Sequence, residues 1–154
     1  MNKIENISNV AIAVVFNVTN GTVLFQKRLR RDDNLLYLPG GKINDGEDSR
    51  EAIIRELEEE TGIRKYEKIN YIFDTPHESR RQDSLRKYLF HVYLCEISDT
   101  RQVRNREPHK HTLRFVPLEE AMRERRRPQV KKKKKMLKIN PKDLQILKHT
   151  LKSI

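Results

Sequence analysis

Residues Gly41 to Ile63 read GKINDGEDSREAIIRELEEETGI, and this stretch decides the fold. Five residues separate Gly41 from Glu47, and seven more lead to Arg55, Glu56 and Leu57; Glu59, Glu60, Gly62 and Ile63 follow. Asp48 with Glu51 three residues later predicts a capping box, so a helix starts here. Ile53, Ile54 and Leu57 then share an apolar side, and Gly62 stands where a left-handed C-terminal cap is wanted. Glu56, Glu59 and Glu60 sit at i, i+3 and i+4, which gathers their carboxylates on another face. Like charges at that spacing repel, and they crowd the helix end where the dipole disfavours anions. A hard divalent cation with oxygen ligands, Mg2+ or Mn2+, offsets such a cluster. The Pro39-Gly40-Gly41 loop in front allows close backbone approach to phosphate or metal. The competing reading is an acidic, solvated helix face with internal pairs such as Arg55 to Glu59, but that reading leaves the flanking glycines without a role.

Taken as G-x5-E-x7-R-E-U-x-E-E-x-G-U with U aliphatic, the stretch matches the Nudix box at every defined position, and the chain resembles the Nudix hydrolases. The resemblance implies an α/β fold, the Nudix α/β/α sandwich with a mixed sheet and a catalytic loop-helix-loop. It implies hydrolysis of a nucleoside diphosphate linked to another group, with Mg2+ or Mn2+ as cofactor. Glu56, Glu59 and Glu60 are then the metal ligands, and the Gly41 carbonyl is a further one. Arg55 and Glu47 orient the helix and its carboxylates by pairing. Glu107, in Arg106-Glu107-Pro108-His109-Lys110, is the candidate for a fourth carboxylate, set against an exposed loop acid. Arg28 and Lys42 resemble positions that face substrate phosphates in MutT-like members. The general base stays open among Glu56, Glu107 and a metal-bound hydroxide.

For substrate, the resemblance favours nucleoside triphosphates, giving monophosphate and pyrophosphate. Glu107-Pro108-x-Lys110 followed by Leu113-Arg114-Phe115-Val116 is similar to MutT-type members. Phe115 stands where those members often have Trp, and this chain has none, which speaks against oxidised-purine cleansing. The marks of ADP-ribose, dinucleoside polyphosphate and coenzyme A members are missing; Pro76 lies close to the first without matching it.

The 154 residues suit one domain, 1–154, and 36% hydrophobic content permits a real core. No apolar run reaches the roughly 18 residues that a membrane helix needs. The N-terminus lacks a signal-peptide pattern, and a lone Cys95 excludes an internal disulfide; a cytoplasmic protein is expected, with Cys95 a buried structural thiol. A net charge of +11 favours polyanionic partners. Much of it lies in a basic segment, 123–138, broken by Pro128, which reads as a connecting linker. Its alternative role is sequence-independent contact with RNA, suited to cap or 5′-pyrophosphate removal.

Along the chain, strands are expected at Asn9–Val18, Thr22–Arg28, Tyr66–Thr75, Lys87–Ile97 and Leu113–Val116, with an Asn20-Gly21 turn joining the first two. Pro76–Arg86 and Ser98–Thr112 read as loops, Pro117–Arg125 as a helix. A last helix at about 141–152 would dock a Leu144, Leu147, Leu151 stripe onto the core. His77, His91, His109 and His111 show no metal-site spacing, and His109 and His111 are read as solvent-facing.

Overall fold

Ala11, Ala13 and Val15 alternate with Ile12 and Val14, so a strand through this run has no polar face to offer water. Such a strand belongs in the middle of a sheet covered on both sides. The computed structural model describes residues 6–31, 33–123 and 138–152, and there this strand, β1, spans Ile7–Asn17. It is followed by β2 (Thr22–Arg28), β3 (Leu36–Tyr37), β4 (Gly40–Lys42), α1 (Ser49–Thr61), β5 (Lys68–Arg81) and β6 (Ser84–Ile97). A 3-10 turn at Thr100–Gln102, β7 (His111–Pro117), α2 (Leu118–Ala121) and α3 (Pro141–Leu151) complete the order.

The sheet runs β3-β2-β1-β6-β5, with β4 also on β1 and β7 on β2. It is mixed, as expected: β1 and β6 are parallel from Ile7↔Lys87 to Asn17↔Ile97, and the other pairings are antiparallel. β1 and β2 pair only beside their turn, at Phe16↔Val23 and Asn17↔Thr22. Beyond it they part, and the segment from Leu36 to Lys42 enters the fork, bonded to β2 through β3 and to β1 through β4. One face of the sheet packs Ala11, Ala13 and Val15 against Ala52, Ile53 and Leu57 of α1. The other packs Ile12, Val14 and Val92 with Ile146 and Leu147 of α3. The result is the α/β/α sandwich. Burial on the α1 side pushes the Cys95 thiol up to about 12, and it is free, as the sequence implied.

The caps of α1 form as read. The Glu51 amide donates to Asp48 at 2.7 Å, and the Glu51 carboxylate accepts in return from the Asp48 amide. Gly62, at φ 74, ends the helix in the left-handed conformation.

Four expectations are corrected. Pro76–Arg86 is not a loop: β5 continues to Arg81 and β6 starts at Ser84, the chain reversing at Gln82 with φ 53. Pro76 is tolerated because β5 is the outer strand, and a residue without an N–H does no harm on that edge. The helix expected at Pro117–Arg125 shrinks to Leu118–Ala121, with Pro117 closing β7. On α3 the buried face is Asp143, Ile146, Leu147 and Thr150; of the expected leucine stripe Leu147 is buried and Leu151 packs against the core, and Leu144 alone is replaced there, by Ile146. His111 is buried, because its register opposite Arg28 draws it into the sheet; His109 is exposed, as expected. Most of the basic segment, residues 124–137, lies outside the described residues.

Candidate active site

The second half of α1 lays Glu56, Glu59 and Glu60 along the edge of the sheet in three different environments. Glu60 is 9% exposed and accepts a 2.9 Å hydrogen bond from Gln26 Nε2 on β2. Burial, with Glu56 beside it, pushes its carboxyl up to about 8. Glu56 is also raised, by burial first, with the Arg55 guanidinium pulling the other way. The Glu59 side chain is 56% exposed.

Arg55 ties this helix to the loop before it. Nε and Nη2 donate to the two oxygens of Glu47 at 2.7 and 2.8 Å, and Nη2 also reaches the Lys42 carbonyl at 3.1 Å. Those bonds, joined by one from the Asn44 amide, hold Glu47 down to about 2. Nη1 meanwhile sits between Glu56, at 2.9 Å, and Glu59, at 3.2 Å.

Gly41 lies directly against Glu56. A Cβ at position 41 would meet the Glu56 carboxyl carbon and Oε1 at 2.3 Å, so only glycine leaves the carboxylate in place. Around this contact opens a cavity of about 590 Å³, bordered by Gln26, Arg28, Gly41, Glu56, Glu59, Glu60, Glu107 and His111. Glu107 comes from the loop before β7, paired with Lys110 at 2.9 Å, and its charge helps to raise both Glu56 and Glu60. Among the described residues no three His, Cys, Asp or Glu side chains come together in a group that could hold a metal ion by themselves. Mg2+ does not ask for one, since it binds through one or two carboxylates while keeping waters and substrate phosphates. All-oxygen donors, a buried acid raised to about 8 and a glycine-width cradle fit such an ion.

A second cavity, of about 630 Å³, shares Arg28, Gly40 and Gly41 with the first. Arg28 lies over the Tyr37 ring at 4.4 Å. Lys42, Asn140 and Lys142 line this second space, and Tyr88 and Phe90 form its aromatic wall. The structure thus brings Arg28, Gly41, Glu56, Glu59, Glu60 and Glu107 around one opening. Lys42 lies in the adjoining one, and Arg55 braces the helix behind.

The NUDIX domain model matches residues 8–138. The chain belongs to the NUDIX domain family. It is 37% identical over 76 residues to the 8-oxo-dGTP diphosphatase of Escherichia coli (strain K12), which covers 44% of this chain and 57% of that protein. It is 30% identical over 90 residues to the ADP-ribose pyrophosphatase of Bacillus subtilis (strain 168), over 56% of this chain and 45% of that one. The chain therefore spans about half the length of the curated relatives it matches. A MutT NUDIX hydrolase from Burkholderia pseudomallei shares the fold, with a TM-score of 0.69 at 24% identity over 94% of this chain and 98% of the other. Among the described residues of this Nudix domain no helix is long and apolar enough to cross a membrane.

Two further side chains border the opening: Gln26, which the sequence does not single out, and His111, expected to face solvent. Gln26 is 3% exposed and holds Glu60; a lone amide after the apolar run Val23-Leu24-Phe25 was the available signal. Burial lowers the His111 pKa, and its Nε2 has no hydrogen-bond partner among the described residues. Only the strand register reveals it.

Proposed function

We propose that this Nudix chain is a divalent-metal-dependent pyrophosphohydrolase of a nucleoside diphosphate linked to a further group, acting on nucleoside triphosphates. The observation that carries this reading is the cluster of Glu56, Glu59, Glu60 and Glu107 around Gly41, facing Arg28 across one opening. Water attacks one phosphorus, the bridging P–O bond breaks, and nucleoside monophosphate and pyrophosphate leave with the proton of the water taken up by base. A bound Mg2+ or Mn2+ supplies Lewis acidity and lowers the pKa of the attacking water.

The chain's own residues then divide the work. Glu56, Glu59, Glu60 and the Gly41 carbonyl would hold the cation. Arg55 and Glu47 fix the helix against the loop, so the carboxylates are placed before substrate arrives. Arg28 and Lys42 carry positive charge to the substrate phosphates, where preorganised charge counts most. Glu107 adds a fourth carboxylate, available with Glu56 as a proton acceptor. The triphosphate preference is supported by the Glu107-Pro108-x-Lys110 segment and by the Escherichia coli relative, named for a nucleoside triphosphate substrate. The Bacillus subtilis relative makes ADP-ribose the rival.

The test is a hydrolysis panel in Mg2+ with products identified by mass spectrometry, covering nucleoside triphosphates, oxidised dGTP, ADP-ribose, diadenosine polyphosphates and capped RNA. Monophosphate and pyrophosphate from triphosphates are expected. Robust ADP-ribose cleavage without triphosphate turnover would reverse the substrate assignment.

A further inference from the structure

Gln26 is a polar side chain in an apolar place. It follows Leu24 on β2 at the two-residue period of a strand, so both point to the side of the sheet that α1 covers. Leu24 joins the cluster that holds Leu57, whereas Gln26 meets the carboxylate of Glu60. The backbone of Gln26 is held on both sides, by Tyr37 on β3 and by Leu113 on β7. A buried amide is costly unless it is hydrogen-bonded, and a bond to an ionised carboxylate is among the stronger ones.

The three acids of α1 are held with unequal firmness. The Glu59 side chain is more than half exposed, and Arg55 reaches it only with the Nη1 that also serves Glu56. Glu56 lies between Arg55 and Gly41. Glu60 is held from the sheet: Gln26 Nε2 donates to its Oε2 at 2.9 Å, and the Gly40 backbone amide lies against the same carboxylate. An ionised carboxylate only accepts, so once Glu60 takes a cation the amide must keep its N–H on Oε2. That bond fixes the plane of the carboxylate and stops it from swinging.

Such freedom decides which cation a carboxylate site accepts. Mg2+ demands a near-octahedral set at about 2.0–2.1 Å. Ca2+ takes roughly six to eight oxygens at about 2.3–2.6 Å, often both oxygens of one carboxylate, in a flexible arrangement. Building on the hydrolase reading above, we propose that Gln26 is a specificity-determining positioning residue, which fixes the Glu60 carboxylate and so tunes the site to Mg2+ and Mn2+ against Ca2+. Gln26 acts through Glu60 and touches neither the cation nor the substrate.

Mn2+ binding to the full chain tests this, with free Mn2+ read by electron paramagnetic resonance and with Mg2+ and Ca2+ as competitors. Gln26→Met keeps the length of the side chain and removes the donor; Gln26→Leu replaces it if circular dichroism shows the Met variant to be altered. Loss of the donor is expected to weaken Mg2+ and Mn2+ by about tenfold or more, as removal of a group that orients a ligand does. Ca2+ should weaken by about twofold or less, since it tolerates a turning carboxylate. A merely structural role would weaken all three ions alike, and that result, or no weakening at all, would overturn the proposal. So would Ca2+ displacing Mn2+ at lower concentration than Mg2+ does in the unaltered chain, an order that needs no variant. The measurement involves no bond cleavage. A chain that shows the expected ion order and its loss in the variant, yet hydrolyses nothing in the panel, sinks the hydrolase reading alone; one that hydrolyses while all three ions weaken alike sinks only the role of Gln26.

Discussion

Glu60 carries the most consequential single ionisation in this molecule. Its carboxyl is raised from 4.5 to about 8, so the native state holds the proton more tightly than the unfolded chain. The stability this contributes is complete below about pH 4.5 and is lost as pH rises through 8. Chemical denaturation of metal-free protein should show stability falling across that window by on the order of 1 kcal/mol or more, and Glu60→Gln should remove most of the slope. Identical profiles for the two proteins would count against a protonated Glu60. Catalysis should respond in the opposite sense, because holding a cation requires the ionised acid. Glu59→Gln and Glu60→Gln are each expected to lower turnover by about a hundredfold or more with the fold retained; near-normal kcat in both would remove them from the site.

At the scale of elements, α1 depends on ends that the sequence states openly. Asp48→Ala removes the acceptor for the Glu51 amide and should cost about 1 kcal/mol in urea unfolding. Gly41→Ala should act differently: its methyl group drives the Glu56 carboxylate away, so activity falls while the unfolding midpoint shifts little. Equal activity of that variant would mean that Glu56 need not lie where it does. The caps, the carboxylates and the two-sided apolar run of β1 were legible because each is written in neighbouring residues. The outer half of the β5–β6 hairpin was not. Pro76 and the charges of Ser79 to Arg81 look like a loop, and only pairing with β6 makes them a strand. The buried face of α3 was legible only in part, at Leu147 and Leu151, for a similar reason. Asp143 is held inside by accepting from the Leu38 amide at 2.8 Å, a partner 105 residues away that no helical periodicity announces. The α1 carboxylates that border the opening are placed by spacing; Gln26 and His111 come from other strands and meet α1 only through the sheet.

For the whole molecule, charge and topology set separate consequences. With +11 net charge, attraction to polyanions is built in. Replacing Lys131 to Lys135 with Ser should flatten the salt dependence of RNA binding in filter titrations, because fewer counterions are released, while triphosphate turnover stays within about twofold. Superimposable binding curves would leave that segment without an RNA role. Topology acts earlier in the life of the chain. Every residue of β1 finds its parallel partner on β6 eighty positions later, from Ile7 with Lys87 to Asn17 with Ile97. At ribosomal speeds of about 5–20 residues per second, the most apolar strand therefore waits roughly 4–16 s before its long-range neighbour exists. During that interval Val10 to Phe16 is a sticky ribbon, held only by its short pairings with β2 beside the Asn20-Gly21 turn and with Gly40–Lys42. Nascent-chain handling, more than final stability, is where this architecture is exposed: refolding should be slow for its size, and yield on synthesis should depend on temperature and chaperone supply.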